Sequence, residues 1–308
     1  MAAPLVGPAG TRMKPGSVFY KMSGSGNDFV MFDGRHVHAS DLTPETVVAI
    51  CDRRRGIGAD GVGLLQPPDA DAAGVHFSFK FWNSDGSVGP MCGNGALCVT
   101  RLAVLLEFAR EDEEVRFATD AGIHRGRVVP GEDRAVVALP DCPLPRPATG
   151  LPTLPGEQHP QVVRPSVPHL VLLVDDVAAI PVAERGPKLR GHPALGPEGA
   201  NVNWLAPGAN ALEWNMRTFE RGVEGETLAC GTGAVACALA LASRGLATSR
   251  VTIRTRSGLP LEVSFQMPSD GAGRTASGTA TDLHLRGEAR LVYRGILSSL
   301  LSDTGSTD

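Results

Sequence analysis

Alternation of apolar and polar residues predicts most of the strands in this chain. Two short apolar runs flank a Gly-Ser-Gly-Asn loop in residues 18–34, which predicts a strand, a loop and a strand. Residues 76–86 alternate as a half-buried strand does and stop at a turn. The other predicted strands are EVRFAT, RAVVALP, HLVLLVDD, NVNWL, EWNMRTFERG, VTIRTRSGLPLEVSF and ARLVYRGIL.

Helices are predicted at three places, from end caps or from a helical apolar period. Thr43 is a candidate N-cap followed by proline and glutamate, and a helix is expected from there to near Gly56. The segments GNGALCVTRLAVLLEFAR and GTGAVACALALASRG have apolar residues at helical spacing. Gly245 is expected to close the second of these two helices.

The order of these elements predicts two similar halves. Each half has strands around one helix that opens with glycine, without strict alternation of strands and helices, which favours an α+β fold. We expect one domain in residues 17–135, to which a strand in 286–300 returns, and a second domain in 136–285. Residues 1–16 are expected to be a flexible extension, and the proline-rich stretch 140–168 to connect the domains.

Composition narrows the class of protein. The 308 residues are 42% apolar, which is enough for a sizeable core, and the net charge of −4 argues against a nucleic-acid partner. No stretch approaches the roughly 20 apolar residues of a membrane-spanning helix. The cysteines are scattered, with no CxxC pair or Cys/His cluster, so we expect reduced thiols, a cytoplasmic location and no metal site. They are Cys51, Cys92, Cys98, Cys142, Cys230 and Cys237.

Each half contains one cysteine directly before a Gly-X-Gly turn that opens a helix. These residues are Cys92 and Cys230. The backbone N–H groups at a helix start lack intrahelical partners and carry partial positive charge, so they can bind a carboxylate and favour a thiolate. The structural alternative is that both cysteines are small apolar fillers, which is the interpretation we adopt for the other four.

Two thiols on opposite sides of a carboxylate-binding cleft suit the inversion of a carbon next to that carboxylate. One thiolate removes the α-proton and the other thiol delivers a proton to the opposite face. Pyridoxal phosphate would need a lysine Schiff base. None of the four lysines, Lys14, Lys21, Lys80 and Lys188, has a setting that indicates one, so we expect no cofactor.

The motifs resemble those of the diaminopimelate epimerase family over nearly the whole chain. The matching segments are KMSGSGNDFV, DRRRGIGADGV, NSDGS with MCGNGALC, VPH, PEGANVNW, ERGVEGETLACGTGAVA and GEARLVYRG. The resemblance implies two similar α+β domains with the active site between them. It also implies cofactor-independent interconversion of LL- and meso-diaminopimelate, a step in lysine and peptidoglycan precursor synthesis. A homodimer is the oligomer that we consider.

The resemblance also implies roles for individual residues, each with a structural alternative such as a turn, a cap or a surface charge. Cys92 and Cys230 correspond to the acid/base pair. Glu220 and His169 correspond to polar groups near the thiols and the reacting amine. Residues implied to bind the substrate are Asn27, Asn83, Gly93, Asn94, Asn201, Arg221, Gly231 and Thr232.

Four positions depart from the usual family motifs. Val167 stands before Pro-His where asparagine is frequent, and Leu97 replaces an arginine in the helix. Gly61 replaces a glutamine found in some members, and the segment after Glu220 is one residue longer than usual. Three alternatives therefore stay open: another cofactor-independent racemase, for example of histidine, a non-catalytic amino-acid-binding protein, and a phenazine-type isomerase.

Overall fold

The computed structural model describes residues 13–68, 74–89, 92–268 and 278–298. Within these ranges the chain forms two compact units. The first contains the residues up to Ala135 together with those from Glu288 onward, and the second contains Val136–Gly287.

In the first unit, strands precede and follow each helix along the chain. Its elements are β1 Val18–Gly24, β2 Asn27–Asp33, α1 Pro44–Cys51, β3 Gly61–Gln66, β4 Phe77–Asn83, α2 Gly93–Leu105, β5 Val115–Thr119 and β6 Gly122–Val128. Strand β7 (Arg134–Leu139) crosses into the second unit.

The second unit is also built from strands with helices among them, and after it the chain returns to the first unit. Its elements are β8 Cys142–Pro143, β9 Arg146–Pro147, β10 Gln158–Val163, β11 His169–Leu173, α3 Val182–Arg190, β12 Asn201–Pro207, β13 Glu213–Glu220, β14 Gly225–Thr227, α4 Gly231–Ala242, β15 Arg250–Arg254, β16 Pro260–Gln266 and β17 Thr279–Glu288. Strand β18 (Arg290–Ile296) pairs antiparallel with β1.

The strand pairings of the two units repeat the same order. In the first unit β1–β2 is antiparallel, β2–β3 parallel, β3–β4 antiparallel, β4–β5 parallel and β5–β6 antiparallel. In the second unit the same order runs through β10, β11, β12, β13, β15 and β16. The predicted α+β fold of two similar halves is therefore confirmed.

Each unit buries one glycine-opened helix almost completely. Helix α2 contacts β1, β3 and β6, and helix α4 contacts β10, β11, β12, β15 and β16. The other sheet face is covered by the shorter helix, α1 or α3, through apolar clusters that include Ile50 with Phe32 and Leu189 with Trp204. Both faces of each sheet are therefore covered. Successive residues of a strand point to opposite faces, so strands such as β2 and β12 have buried residues in succession.

The predicted helix starts are correct, and two predicted helix ends are not. Thr43 caps α1 by accepting a hydrogen bond from the Thr46 backbone N–H. This helix ends at Cys51 rather than near Gly56, because the carbonyls of its last turn accept N–H groups of the following loop. Helix α2 ends at Leu105 because Glu107 takes a positive φ of 59° that terminates it. Helix α4 is followed by Gly245 with φ 72°, as predicted.

Sequence patterns missed several elements for identifiable reasons. Strand β3 contains Gly61 and Gly63, where a Cβ would collide with the Phe81 ring and the Met31 sulfur. Helix α3 contains an internal Gly-Pro pair, and a Cβ at its Gly186 would collide with a phenylalanine ring. These glycines allow close packing but remove the pattern on which a prediction rests.

The proline-rich segment 140–168 is more ordered than the connection and loop that we expected. It contains β8, β9 and β10, and β10 has an irregular register around its internal proline, where His159 has a positive φ. Residues 1–12 of the predicted extension lie outside the described residues. Met13 packs against the apolar cluster under α1, and the Gly16 N–H donates to the Leu297 carbonyl.

Within the second unit, a buried ion pair anchors the proline-rich segment to helix α3. Glu157 accepts hydrogen bonds from the Arg185 guanidinium of α3 and from the Trp204 indole N–H of β12, the latter at 3.0 Å. Arg185 also donates to the Pro152 carbonyl. Burial alone would disfavour a carboxylate, but these contacts lower the pKa of Glu157 below its usual value.

We expect Glu157→Gln to lower the free energy of unfolding by about 3–5 kcal/mol, because it leaves the Arg185 charge buried without its partner. Asp112→Asn, which breaks the exposed Arg110–Asp112 pair, is the matched control and should change it by less than about 1 kcal/mol. Urea unfolding measured on both variants tests this. Equal, small effects would show that the buried pair contributes no more than the exposed one.

Candidate active site

In the first unit, the Gly-Ser-Gly loop places Asn27 beside the start of α2. Ser25 and Gly26 both have positive φ, at 55° and 112°, and form a two-residue turn between β1 and β2. A Cβ at Gly24 would lie 2.9 Å from the Asn94 carbonyl oxygen, so only glycine allows this approach to the helix. The loop is therefore shaped by contact with the first turn of α2.

Cys92 is the N-cap residue of α2, and the helix begins at Gly93. Two residues on, the Asn94 side chain donates to Asn27 Oδ1 at 2.7 Å, and Asn27 Nδ2 donates to Asp60 Oδ2 at 3.1 Å. Because a carboxylate can only accept, Asp60 sets the orientation of both amides. Asn94 Oδ1 is buried without a hydrogen-bond partner among the described residues.

Asp60 belongs to a cluster of charges at this end of the sheet. Arg53 bridges Asp60 and Asp28 at 2.6 and 2.8 Å, and Lys21 bonds Asp28 at 2.6 Å and the Gly58 carbonyl. Burial opposes ionisation of Asp28, but its hydrogen bonds to Arg53 and Lys21 lower its pKa overall. Asp28 therefore stays ionised within this cluster.

Asn83 ends β4 and takes part in the turn that follows. Its amide donates to Ser87 Oγ at 3.0 Å, and its backbone N–H donates to the Ser87 carbonyl. The strand register pairs Asn83 with Gly61, the first residue of β3, so it lies at the same sheet end as Asn27. The structure thus gives Asn83 a turn role beside the implied substrate-binding role.

In the second unit, strand register gathers the implied site residues at one sheet end. His169 and Asn201 are the first residues of β11 and β12 and pair directly. Glu220 is the last residue of β13, antiparallel to β12, and therefore ends level with them. Arg221 follows the strand, although the predicted strand EWNMRTFERG included it.

His169 is fully buried and hydrogen-bonded on both ring nitrogens. Nε2 lies 3.0 Å from Thr232 Oγ1, the second residue of α4, and 3.3 Å from Asn201 Nδ2. Nδ1 lies 3.1 Å from Asn203 Nδ2. Burial lowers the pKa of His169 to about 3, and the charge of Arg221 acts in the same direction. His169 is therefore a neutral hydrogen-bonding group at physiological pH.

Cys230 is the N-cap residue of α4, and its sulfur accepts a hydrogen bond from the start of its own helix. The Gly233 N–H donates to Sγ at 3.4 Å, and Thr232 Oγ1 lies 3.6 Å from Sγ. A Cβ at Gly233 would lie 3.2 Å from Sγ and 2.7 Å from Asn203 Oδ1, so glycine lets the helix begin this close to the thiol. Such donors favour a thiolate.

Arg221 lies at the edge of this cluster. Its backbone N–H donates to Asn201 Oδ1 at 2.7 Å, which fixes the orientation of that amide. Its guanidinium donates to the Glu198 carbonyl at 3.3 Å and lies 3.6 Å from the Glu198 carboxylate, which Arg164 also binds. The guanidinium is partly exposed and carries a charge that a bound carboxylate could meet.

The other four cysteines behave as apolar fillers. Burial raises the pKa of Cys51 to about 12 and that of Cys142 to about 11, and it raises the values of Cys98 and Cys237 well above the ordinary range. All six cysteines are among the described residues, and none of them is in a disulfide. In the described parts of the chain no group of three or more His, Cys, Asp or Glu could hold a metal ion.

The sequence matches the diaminopimelate epimerase family twice, over residues 19–137 and 162–280. The chain belongs to this family. Each matched half corresponds to most of one structural unit and contains one of the cysteine-capped helices.

Named relatives of the diaminopimelate epimerase family align over nearly their whole length. The diaminopimelate epimerase of Gemmatimonas aurantiaca is 44% identical over 292 residues, covering 92% of this chain and 99% of the relative. That of Aquifex aeolicus is 37% identical, covering 91% and 97%.

Solved structures share the fold of this epimerase family member. A hydroxyproline epimerase from Agrobacterium vitis superposes with a TM-score of 0.64 at 16% identity, covering 94% of this chain and 95% of that one. A phenazine biosynthesis protein of the PhzF family from Bacillus anthracis superposes with a TM-score of 0.69 at 11% identity, covering 92% and 99%. No described helix is long and apolar enough to cross a membrane.

Sequence reasoning missed three polar residues of this family member that hold the implied site residues. Asp60 orients Asn27, and Asn203 contacts His169 and accepts from Thr218. The signal for Asn203 was present, because Asn201 and Asn203 are two positions apart on a strand and so share a face. A buried asparagine on such a face needs partners, which only the structure identifies.

We expect the burial of His169 to destabilise the protein in acid. Below pH 6.5 the unfolded chain binds a proton that the native His169, with its pKa near 3, does not. The stability of the wild type relative to His169→Gln should therefore be constant above that pH and fall by about 1.4 kcal/mol per pH unit below it. Urea unfolding of both proteins between pH 7 and 4.5 measures this, and a difference independent of pH would contradict it.

Proposed function

We propose that this protein is an isomerase that interconverts LL- and meso-diaminopimelate, a step in the synthesis of lysine and of peptidoglycan precursors. The observation that supports this most is the pairing of a family match in each half with a cysteine at the N-cap of a buried helix in each unit. The relatives at 37–44% identity are named for this activity. The proposed chemistry uses no cofactor.

In the proposed mechanism Cys92 and Cys230 act on opposite faces of one α carbon. One thiolate removes the α-proton while the other thiol supplies a proton to the opposite face, and the roles reverse in the other direction. Negative charge that develops on the carboxylate is met by the N–H groups at the helix starts, at Gly93 with Asn94 and at Gly231 with Thr232. These groups are fixed before the substrate arrives.

The remaining site residues are proposed to bind and orient the substrate. Asn94 Oδ1 is buried without a partner among the described residues and suits an ammonium N–H, since Asn27, itself oriented by Asp60, holds the Asn94 nitrogen toward its own oxygen. Asn27, Asn83 and Asn201 would contact the amino and carboxylate groups. Glu220 is level with Asn201 at the sheet end and would meet the reacting amine.

His169 is assigned a hydrogen-bonding role rather than proton transfer. With a pKa of about 3 it would accept a proton only in strong acid. It contacts the hydroxyl of Thr232, whose own backbone N–H is one of the proposed carboxylate-binding groups. Loss of His169 should therefore act on the geometry of Thr232.

Solvent isotope uptake tests the two-base mechanism. In deuterated water, early product should carry deuterium at the inverted carbon while recovered substrate stays largely unlabelled, because each thiol exchanges its proton with solvent only after release. Mass spectrometry and NMR of both pools at low conversion measure this. Equal early labelling of substrate and product would favour a single base.

The same assay on Cys92→Ala and Cys230→Ala should show no epimerisation, with the fold retained by circular dichroism. Cys98→Ala is the matched control, since Cys98 is a buried filler of α2. Normal turnover in either of the first two variants would refute the assignment of the pair.

Arg221 is proposed to bind the distal carboxylate of diaminopimelate through two parallel N–H donors. Lysine cannot reproduce that geometry, so Arg221→Lys should lower kcat/KM by about ten- to a hundredfold, equivalent to roughly 1.5–3 kcal/mol. Arg164→Lys is the control, because Arg164 bonds the same Glu198 from outside the cluster. Unchanged diaminopimelate turnover in Arg221→Lys would show that Arg221 does not bind the distal carboxylate in this way.

A substrate panel separates this function from another cofactor-independent racemase. LL-diaminopimelate, histidine, glutamate and proline, each assayed by deuterium uptake, should give turnover with the first alone. Val167 motivates the panel, because it places an apolar side chain where relatives often have an amide. Preference for an amino acid without a distal carboxylate would refute diaminopimelate as the substrate but would leave the proposed two-base chemistry in place.

A homodimer and a cytoplasmic location complete the proposal. Exposed Val292, Tyr293 and Ile296 on β18 favour self-association, and a mechanism that depends on two thiols favours a reducing compartment. Sedimentation velocity on the 32.2 kDa chain and cell fractionation test these two points.

A further inference from the structure

Asn203 is a fully buried asparagine in the apolar interface between the sheet and α4, and every polar atom of its side chain is hydrogen-bonded. Its Nδ2 contacts His169 Nδ1 and the Leu170 carbonyl, both at 3.1 Å, and its Oδ1 accepts from Thr218 Oγ1 at 2.9 Å. A buried amide with three partners is held rigidly.

These partners determine which way the Asn203 amide faces. The Leu170 carbonyl can only accept, so the nitrogen must face it, and the oxygen must face the Thr218 hydroxyl. The amide nitrogen therefore also faces His169 Nδ1 and donates to it. A neutral imidazole has one accepting nitrogen, so its proton then lies on Nε2.

The proton on Nε2 determines the direction in which the Thr232 hydroxyl donates its own proton. His169 Nε2–H donates to Thr232 Oγ1 at 3.0 Å, and the Thr232 proton is left to point to Cys230 Sγ at 3.6 Å. Asn201 Nδ2 also lies near Nε2, at 3.3 Å, but its carbonyl is held by the Arg221 N–H, so it presents a second donor. Both amides cannot donate to one neutral ring. The Asn203 contact, at 3.1 Å, is shorter than the Asn201 contact, at 3.3 Å, and this favours acceptance at Nδ1 and the proton on Nε2.

We propose that Asn203 is a positioning residue that fixes the Nε2–H tautomer of His169, so that Thr232 donates its hydroxyl proton to Cys230 and stabilises the thiolate. The Asn203–His169–Thr232–Cys230 chain adds to the Gly233 N–H that already reaches this sulfur. Its effect on turnover rests on the proposed function, but its effect on the thiol does not.

Other charged or titratable groups near the chain must be held constant in any test. Arg221 lies close enough to influence His169, Cys237 lies close enough to Cys230 to interact with it, and Glu220 ends level with Asn201. None of the variants below alters these three residues.

The tautomer is measured directly by nitrogen NMR of protein with labelled histidine, without substrate. The wild type should show a protonated Nε2 and a bare Nδ1 for His169, assigned by the loss of its signals in His169→Gln. In Asn203→Asp the carboxylate accepts, so the proton should move to Nδ1. A wild-type His169 protonated on Nδ1 would overturn the proposal.

The thiol is measured by the rate of iodoacetamide alkylation at Cys230 against pH, read by peptide fragmentation. In Asn203→Asp and Thr232→Val the pH of half-maximal rate should rise by about one unit, the value of one hydrogen bond to a charged group. Thr232→Ser, which keeps the hydroxyl, should match the wild type. Asn215→Asp is the control, because its side chain bonds the Pro207 carbonyl at the far end of β12.

Half-maximal pH values within about 0.2 unit of the wild type in both Asn203→Asp and Thr232→Val would overturn the proposal. If Asn203→Asp fails to fold, Thr232→Val and the wild-type NMR spectrum still decide the question. Protein that shows the tautomer and the shifts but does not epimerise diaminopimelate would refute the proposed function and leave the positioning role intact.

Discussion

The burial of a helix start against the end of a sheet is the constraint on which both units depend. The first N–H groups of α2 and α4 have no partners within their helices, and both first turns are largely buried. Polar side chains must therefore collect at the adjoining strand ends, where Asn27 meets Asn94 and His169 meets Thr232. The same constraint places glycines at these turns, because the backbone has to approach the sulfur and the strands closely.

The two units satisfy this constraint with different chemistry. In the first unit, the carboxylate of Asp60 orients the amides of Asn27 and Asn94, and Arg53 holds Asp60 within a group of charges. The second uses neutral groups, Thr218, Asn203 and His169, inside an apolar interface. A duplicated fold thus supports one helix start by ionic contacts at a partly exposed edge and the other by contacts shielded from solvent and salt.

Sequence patterns correctly predicted the elements whose signals lie within a few neighbouring residues. The two cysteine-capped helices and the strands that alternate, such as β4 and β16, were correct because their signals lie within a few residues. Strand β3 and helix α3 were missed because Gly63 and Gly186 serve packing with distant side chains. The implied site residues came from motif resemblance, and their partners did not, since whether an amide meets a carboxylate, a hydroxyl or an imidazole depends on which strands become neighbours.

The return of β18 to pair with β1 has a consequence for how the chain folds during synthesis. The second unit is continuous in sequence and leaves the ribosome before β18 does, so it can complete its contacts first. The first unit must wait with β1 unpaired on that side until the last strand appears, a contact of very long sequence separation. An exposed strand edge in a nascent chain is a site for wrong pairing, so the N-terminal half is the part of this protein most dependent on timely completion of the C-terminus.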